Sequence, residues 1–285
     1  MLLIQLCWGH RTPRDFQFMI EKKFRRMIKK SLKNFIKAID KKLLFNLLKK
    51  IYILFNYYKL HSNYEKNCFL NHSYYNYNNN SLTKLCETYK SDKGSTNHNK
   101  KTIWGWTAHT YSNYYYSLFN HFKEDVKLVF ECGLGTNNPD LQGNMTTDGI
   151  PGASLRVWRD YFKNAQIYGA DIDKDILFQD DRIKTYYVDQ LNTRSIETMW
   201  KEIGIQNFDI IIDDGLHTTD ANINLFVNSF NKLKKKGIYI IEDVYHKQLN
   251  NILEKLKDFN PELVILGRNN LYSKGDNNLI VIRND

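Results

Sequence analysis

Two predicted strands end in acidic residues, and a histidine follows the first of them. One strand ends at Asp214, and the next strand along the chain ends at Glu242 and Asp243. Parallel strands bring their carboxyl ends to one edge of a sheet, so these carboxylates are expected to converge. Converging carboxylates repel one another unless they are protonated or bind a cation, and oxygen ligands suit Mg²⁺. His217 follows shortly after Asp214, where a neutral imidazole is a suitable general base; a structural or surface histidine is the alternative.

A glycine turn follows the first strand of this part of the chain. Gly133 and Gly135, in the segment ECGLGT (131–136), let the backbone turn sharply and approach a ligand closely. The dinucleotide-binding fingerprint needs a third glycine where this chain has Asn138, and a long loop separates the turn from the next helix. NAD binding is therefore disfavoured, and a plain tight turn is the alternative to a ligand-binding one.

Two further predicted strands also end in acidic residues. Asp171 ends the strand after the glycine turn, where a carboxylate can accept hydrogen bonds from the two hydroxyl groups of a ribose. Asp189 ends the following strand, beside Gln190, at a position suited to the edge of an adenine. Either aspartate could instead cap the N-terminus of a helix, and Asp173 is the more natural cap.

These residues lie in a regular alternation of apolar runs and amphipathic segments that begins near residue 127. The runs have the length of buried strands, and the segments between them have helical periodicity. The pattern predicts an α/β fold with a mostly parallel sheet covered on both faces. The last two of seven predicted strands are too close for a helical crossover, so they are expected to form an antiparallel hairpin. Two short helices, at 82–89 and 107–122, are predicted before the alternation.

The N-terminal part of the chain carries the positive charge. Residues 1–60 hold 15 lysines and arginines but three acidic residues, whereas the whole chain has a net charge of +10. Because the rest of the chain is slightly negative, no nucleic-acid partner is expected for the main domain. Apolar residues recur at helical spacing over 18–56, which predicts a basic amphipathic helix. That helix could pack on the domain, pack on a second copy in a homo-oligomer, or make peripheral contact with an anionic membrane.

The composition predicts three parts and a cytoplasmic protein. The parts are a basic helical extension at 1–65, an Asn-rich linker at 66–80 and a main domain at 81–285. Four cysteines without metal-binding spacing favour a reducing compartment such as the cytoplasm. No apolar run is long enough to span a bilayer, so contact with the inner face of a bacterial membrane would come from the basic helix.

From residue 81 to residue 284 the chain resembles the class I S-adenosylmethionine-dependent methyltransferases, which have a Rossmann-like fold with an N-terminal helical cap. Within that superfamily it is similar to the metal-dependent sugar O-methyltransferases known from macrolide biosynthesis. Related proteins are common in bacterial polysaccharide and capsule gene clusters. The matching segments are SDKG (91–94), HTY (109–111), ECGLGT (131–136), PGASLRVWRDYF (151–162), IYGADID (167–173), DQ (189–190), DDGLH (213–217) and IED (241–243).

The resemblance implies a role for each matching residue. The ligands of Mg²⁺ would be Asp214, Glu242 and Asp243, and His217 would take the proton from the hydroxyl of a sugar or glycan acceptor. The oxygen would then attack the methyl group of the sulfonium in line. The residues expected to bind S-adenosylmethionine are Gly133, Gly135, Ser154, Asp171 and Asp189, with Lys93, His109 and Tyr111 from the helical cap. Bacterial surface-polysaccharide or related glycan biosynthesis is the implied context.

Two other functions stay open from the sequence. One is a hydroxylase, or an N- or phosphoramidate methyltransferase, on the same scaffold, because a fold does not settle its chemistry. The other is a non-enzymatic, membrane-tethered binding protein with a degenerate cofactor domain. Binding of S-adenosylhomocysteine separates this non-enzymatic hypothesis, which predicts no binding, from the two enzymatic ones.

Overall fold

The fold is built on one mixed sheet. The computed structural model describes residues 69–73, 79–96, 105–267 and 275–285, together with Leu48, Ile51 and Ile103. The strands are β1 (Phe69–Ser73), β2 (Leu128–Cys132), β3 (Gln166–Asp171), β4 (Gln179–Asp180), β5 (Ile183–Tyr187), β6 (Phe208–Asp213), β7 (Leu233–Ile241), β8 (Glu262–Leu266) and β9 (Asn278–Arg283). Within the described residues their spatial order is β1-β8-β9-β7-β6-β2-β3-β5-β4.

Helices connect the parallel strands and bury the sheet. They are α1 (Ser81–Tyr89), α2 (Tyr111–Phe119), α3 (Ala153–Tyr161), α4 (Thr193–Ile203), α5 (Thr219–Ser229) and α6 (Leu249–Leu256). Every residue of the central strand β6 is buried, as expected for a strand covered on both faces. The crossovers therefore place the loops that follow β2, β3, β6 and β7 at one edge of the sheet, where a site can form.

The predicted fold class is confirmed. Strands β2, β3, β5, β6 and β7 pair in parallel, and β9 runs antiparallel between β7 and β8. The last two strands thus form the expected antiparallel pair. Helix α4 begins after Asn192, which caps its first turn, and it ends before Gly204, which adopts the left-handed conformation at φ 66°.

Counted over the described residues, the sheet has two more strands than the seven predicted. Strand β1 lies inside the segment expected to be a linker, and it pairs in parallel with β8 at the edge of the sheet. Strand β4 adds two residues antiparallel to β5 at the other edge. The linker expectation for 66–80 is therefore wrong at 69–73, because an edge strand can form from backbone pairing without an apolar pattern.

The basic helix predicted over 18–56 lies outside the described residues, apart from Leu48 and Ile51, which are helical. Its proposed contacts with a membrane or a second copy stay predictions. Residues Leu60–Asp285 form one compact unit, which contains the sheet and the helices α1 to α6. Among the described residues, none of the helices combines the length and apolar character needed to cross a bilayer.

The helical cap is anchored by aromatic side chains. The ring of Tyr115 on α2 lies 5.5 Å from Phe119 and 5.5 Å from Trp158 on α3. Phe119 also packs edge-on against Phe162 at 5.5 Å. Such aromatic pairs hold α2 against α3. The polar side chains of the N-terminal helices therefore reach the carboxyl edge of the sheet in fixed positions.

Candidate active site

The acidic strand ends meet as the sequence predicts. Cys132 of β2 is in register with Asp213 of β6, and Asp213 is in register with Ile241 of β7. The residues that follow, Asp214 and Glu242, therefore emerge side by side. The ammonium group of Lys93 contacts both side chains, so they point to the same side of the sheet.

Lys93 lies at the centre of a buried carboxylate cluster. Its Nζ is 2.6 Å from Oδ2 of Asp214, 2.6 Å from Oε2 of Glu242 and 3.2 Å from Oε1 of Glu131. The other carboxylate oxygen of Glu242 accepts a hydrogen bond from the Tyr115 hydroxyl at 2.6 Å. Both oxygens of Glu242 are thus engaged by side chains of the cap.

The charges in this cluster depend on each other. Burial lowers the pKa of Lys93, but the carboxylates of Asp214, Glu131 and Glu242 outweigh it and hold the pKa well above its usual value. Burial raises the pKa of Glu242 well above its usual range, with Asp214 adding to the rise and Lys93 opposing it. Lys93 is therefore positively charged at neutral pH. It lies beneath the acidic rim, the edge of the sheet that carries Asp214, His217 and Asp243.

A second, more exposed cluster can hold a metal ion. One potential ligand atom from each of Asp214, His217 and Asp243 lies within 4.8 Å of the others. His217 Nε2 is 3.8 Å from Oδ2 of Asp243. Burial raises the pKa of Asp243 to about 7, with His217 lowering it and Asp214 raising it. Glu242 does not belong to this group in the described residues, so its part as a ligand stays a prediction.

The backbone is strained at two residues of this cluster. His217 and Asp243 have φ values of 56° and 53°, in the left-handed region that residues other than glycine seldom adopt. The Gln248 side chain donates a hydrogen bond to the His217 carbonyl at 3.0 Å, which holds this turn. The buried Nδ1 of His217 has no hydrogen-bond partner in the described part of the chain.

Two residues that the resemblance assigned to the methyl donor lie against Asp243. The Tyr111 hydroxyl donates to Oδ1 of Asp243, and the His109 ring stacks on Tyr111 with 4.5 Å between centroids. His109 Nε2 lies 3.4 Å from Asp243 Oδ1, and its Nδ1 is 3.0 Å from Oδ1 of Asn277. Both side chains line the cavity that also borders Gly133, Asp214, His217 and Asp243. They therefore lie at the candidate site, in contact with Asp243.

The glycine turn and the next strand end form the other half of the same cavity. Gly133 has φ 96°, and a Cβ added there would lie 2.0 Å from the carbonyl oxygen of Asp214. Asp171 accepts a hydrogen bond from the Leu134 amide at 2.7 Å, which ties the turn to β3. Four residues that were expected to bind the methyl donor line this half of the cavity: Gly133, Gly135, Asp171 and Asp189. Ser154 lines a smaller cavity beside it.

The helix caps bear on the capping alternatives for Asp173 and Asp189. Asp173 accepts a hydrogen bond from the Asp175 amide and caps a short 3-10 helix, as predicted. Asn192, rather than Asp189, caps α4. Asp189 instead accepts a hydrogen bond from the Leu191 amide at 2.9 Å, in the loop that borders the cavity.

Sequence reasoning missed the network that supports the rim from below. Asp213 is fully buried, and it accepts hydrogen bonds from Gln190 at 2.7 Å and Asn222 at 2.9 Å. The Gln190 side chain also accepts from the Leu216 amide at 2.7 Å, so it braces the acidic loop while it lines the cavity. Glu131 and Tyr115 were missed as well, although the polar residue within the apolar run of β2 was a signal for Glu131.

The sheet order, with a reversed strand between the last two parallel ones, defines the fold of the class I S-adenosylmethionine-dependent methyltransferases. No protein-family model matches the chain. In sequence the chain is related to the sugar O-methyltransferases. It is 32% identical over 139 residues, 49% of its length, to an 8-demethyl-8-alpha-L-rhamnosyl tetracenomycin-C 2'-O-methyltransferase of Streptomyces olivaceus. It is 30% identical over 142 residues, 50% of its length, to a demethylmacrocin O-methyltransferase of Streptomyces fradiae.

These matches span part of each relative. They cover 34% of the Streptomyces olivaceus protein and 33% of the Streptomyces fradiae protein, about a third of the curated relatives' length. Among solved structures, a MycE methyltransferase from the mycinamycin biosynthetic pathway in complex with Mg and SAH superposes with a TM-score of 0.49. That pair is 20% identical and covers 73% of this chain and 55% of that one.

Proposed function

We propose that this protein transfers the methyl group of S-adenosylmethionine to a sugar hydroxyl, with Mg²⁺ at the acidic rim. The observation that carries the proposal is a single cavity lined by both halves of such a site. Gly133 and Asp171 border it on one side, and Asp214, His217 and Asp243 border it on the other. Donor and acceptor would therefore meet at the carboxyl edge of the sheet, where ligands of this type of fold bind.

The residues at the rim fit a hard divalent cation. Asp214 and Asp243 offer carboxylate oxygens, and these two side chains with His217 lie within 4.8 Å of each other through one atom each. Glu242 would also bind the cation, through one of the two oxygens that accept hydrogen bonds from Lys93 and Tyr115. When bound, Mg²⁺ supplies Lewis-acid polarisation of the substrate oxygen, and the donor supplies an electrophilic methyl group.

The residues of the opposite half fit the methyl donor. The left-handed turn at Gly133 and Gly135 lets the backbone lie against a ligand without a Cβ in the way. Asp171 is 7% exposed and keeps lone pairs beyond the two amide hydrogen bonds it accepts, so it can take a ribose hydroxyl. Asp189 borders the same cavity further along.

His217 is the proposed general base. It lies beside Asp243, which is itself held by Tyr111, so the imidazole faces the region where the acceptor hydroxyl would sit. A neutral imidazole takes the hydroxyl proton as the oxygen attacks the methyl carbon. The strained turn at His217, braced by Gln248, fixes the ring before the acceptor arrives.

The relatives support the acceptor class, because their names state O-methylation of a rhamnosyl tetracenomycin-C and of demethylmacrocin. We propose a sugar hydroxyl on a glycosylated small molecule or on a glycan. The more specific proposal is that the glycan is a bacterial surface polysaccharide, which is the context that the sequence resemblance implies. Two arms of one assay, glycosylated polyketides and an extracted glycan fraction, separate the two acceptors.

The test is transfer of a labelled methyl group with Mg²⁺ present or removed by a chelator. We expect transfer that falls to background on chelation and returns when Mg²⁺ is restored. Calorimetry with S-adenosylhomocysteine should show binding that Asp171→Ala weakens strongly. Transfer that chelation leaves unchanged would refute the metal role, and a chain that binds no S-adenosylhomocysteine would refute the enzyme itself.

A further inference from the structure

The buried lysine Lys93 has no role in the methyl-transfer proposal. Lys93 follows α1, and its side chain is 2% exposed. It lies between two fully enclosed carboxylates, Glu131 at 0% and Glu242 at 1% exposure, and the partly exposed Asp214 at 22%. Acidic side chains from the ends of three different strands thus contact the same ammonium group.

The contacts assign Lys93 to the acidic rim. Its Nζ lies 2.6 Å from Oδ2 of Asp214 and from Oε2 of Glu242, which are the distances of strong charge-assisted hydrogen bonds. The smaller cavity that it lines also touches Gly133 and Ser154, so a contact with the methyl donor is the competing role.

Charge balance gives this arrangement a consequence for cation binding. Buried carboxylates at this density repel each other, and one ammonium offsets part of that repulsion. Asp214 belongs both to this cluster and to the more exposed group with His217 and Asp243. The positive charge of Lys93 therefore acts on any cation that Asp214 helps to bind.

We propose that Lys93 is a positioning residue whose ammonium group holds Glu131, Asp214 and Glu242 together and sets how tightly the rim binds a divalent cation. The inference rests on the proposed metal site. It predicts that the lysine keeps the cluster assembled without a metal and weakens cation affinity by its own charge. Loss of the lysine would then leave a more negative rim that takes a cation more tightly.

The test is calorimetric titration of the full chain with Mg²⁺ or Mn²⁺ alone, and with S-adenosylhomocysteine separately. Lys93→Met removes the charge and keeps an unbranched side chain. We expect its dissociation constant for the cation to fall by about tenfold or more, since a unit charge close to a divalent ion is removed. Its metal-free form should melt at a lower temperature, and Mg²⁺ should raise that temperature more than in the wild type. Lys84→Met, on the exposed side of α1, is the matched control and should change neither quantity.

Two further variants keep the test decisive if Lys93→Met does not fold. Glu131→Gln removes one negative charge next to the lysine and keeps an acceptor for Trp158, so cation affinity should fall several-fold. The double variant with both substitutions restores the balance, and its cation affinity should return to within about threefold of the wild type. Unchanged cation affinity in Glu131→Gln would overturn the proposal.

The other outcomes separate the two proposals. A wild-type chain that binds neither Mg²⁺ nor Mn²⁺ would overturn the metal site and the lysine's role together. A wild-type chain that binds the cation, with equal or weaker binding in Lys93→Met, would overturn the lysine's role alone. Loss of S-adenosylhomocysteine binding in Lys93→Met, with cation affinity unchanged, would make the lysine a donor contact instead.

Discussion

Asp243 should make the stability of the metal-free protein depend on pH. Burial raises the pKa of its carboxyl to about 7, against the lowering effect of His217. In the unfolded chain the same carboxyl has its ordinary, lower pKa, so between about pH 4 and pH 7 the folded state binds more protons. The free energy of unfolding must then fall as the pH rises through this interval, and the contribution of Asp243 is constant above it.

The size of the effect follows from the same quantities. A rise from 3.8 to about 7 corresponds to about 4 kcal/mol over the whole interval. Part of that interval lies below pH 5, and the side chain keeps 20% exposure, which lets water screen its charge. Between pH 5 and pH 8 we expect a fall of about 2 kcal/mol that belongs to Asp243.

The assay is denaturant unfolding in the presence of a chelator, from pH 5 to pH 8, for the wild type and Asp243→Asn. The asparagine cannot titrate, but its carbonyl oxygen can still accept from the Tyr111 hydroxyl. The difference between the two free energies of unfolding should change by about 2 kcal/mol over this range, because the other titrating groups are shared. Parallel pH curves for the two proteins would refute the reasoning.

Three further substitutions test other parts of the site. Gly133→Ala places a Cβ 2.0 Å from the Asp214 carbonyl, so calorimetry should show no S-adenosylhomocysteine binding; Gly105→Ala, also at positive φ but with nothing within 4 Å, should bind normally. His217→Ala should lower kcat by about 10²–10⁴-fold and leave the donor dissociation constant unchanged, and a loss of donor binding would contradict the base assignment. Asn222→Leu removes a hydrogen bond to buried Asp213 and should cost about 2–3 kcal/mol in denaturant unfolding, unlike Asn228→Leu on the same helix.

The sequence predicted the parts of this protein that depend on local pattern. Apolar runs located the strands of the sheet, and the reversed last pair followed from a short connection. The convergence of Asp214 and Glu242 could also be predicted, because neighbouring strand ends share an edge whatever the details of packing. Strand β1 was missed, since its sequence FLNHS has no strand pattern and its place depends on pairing with β8.

The partners of the acidic residues could not be predicted in the same way. Lys93 meets Asp214 across 121 residues of sequence and Glu242 across 149, and no local rule links them. The same holds for Tyr111 and Asp243, which are 132 residues apart. Such contacts depend on how the helical cap docks on the sheet, which is decided by the aromatic packing of α2 against α3 and not by motif spacing.

The two consecutive acids that follow β7 belong to different clusters, and the backbone explains why. Glu242 is buried beneath the rim with Lys93 and Tyr115, whereas Asp243 lies in the cavity beside His217 and Tyr111. The left-handed conformation of Asp243, two residues after β7 ends at Ile241, turns the chain away after Glu242. Within the part of the chain that the structure describes, Asp214 contacts Lys93 and also belongs to the group with His217 and Asp243, so it is a physical link through which a charge change at Lys93 reaches the proposed cation site. For this reason substitutions in the buried cluster should alter cation affinity without touching the donor half of the cavity.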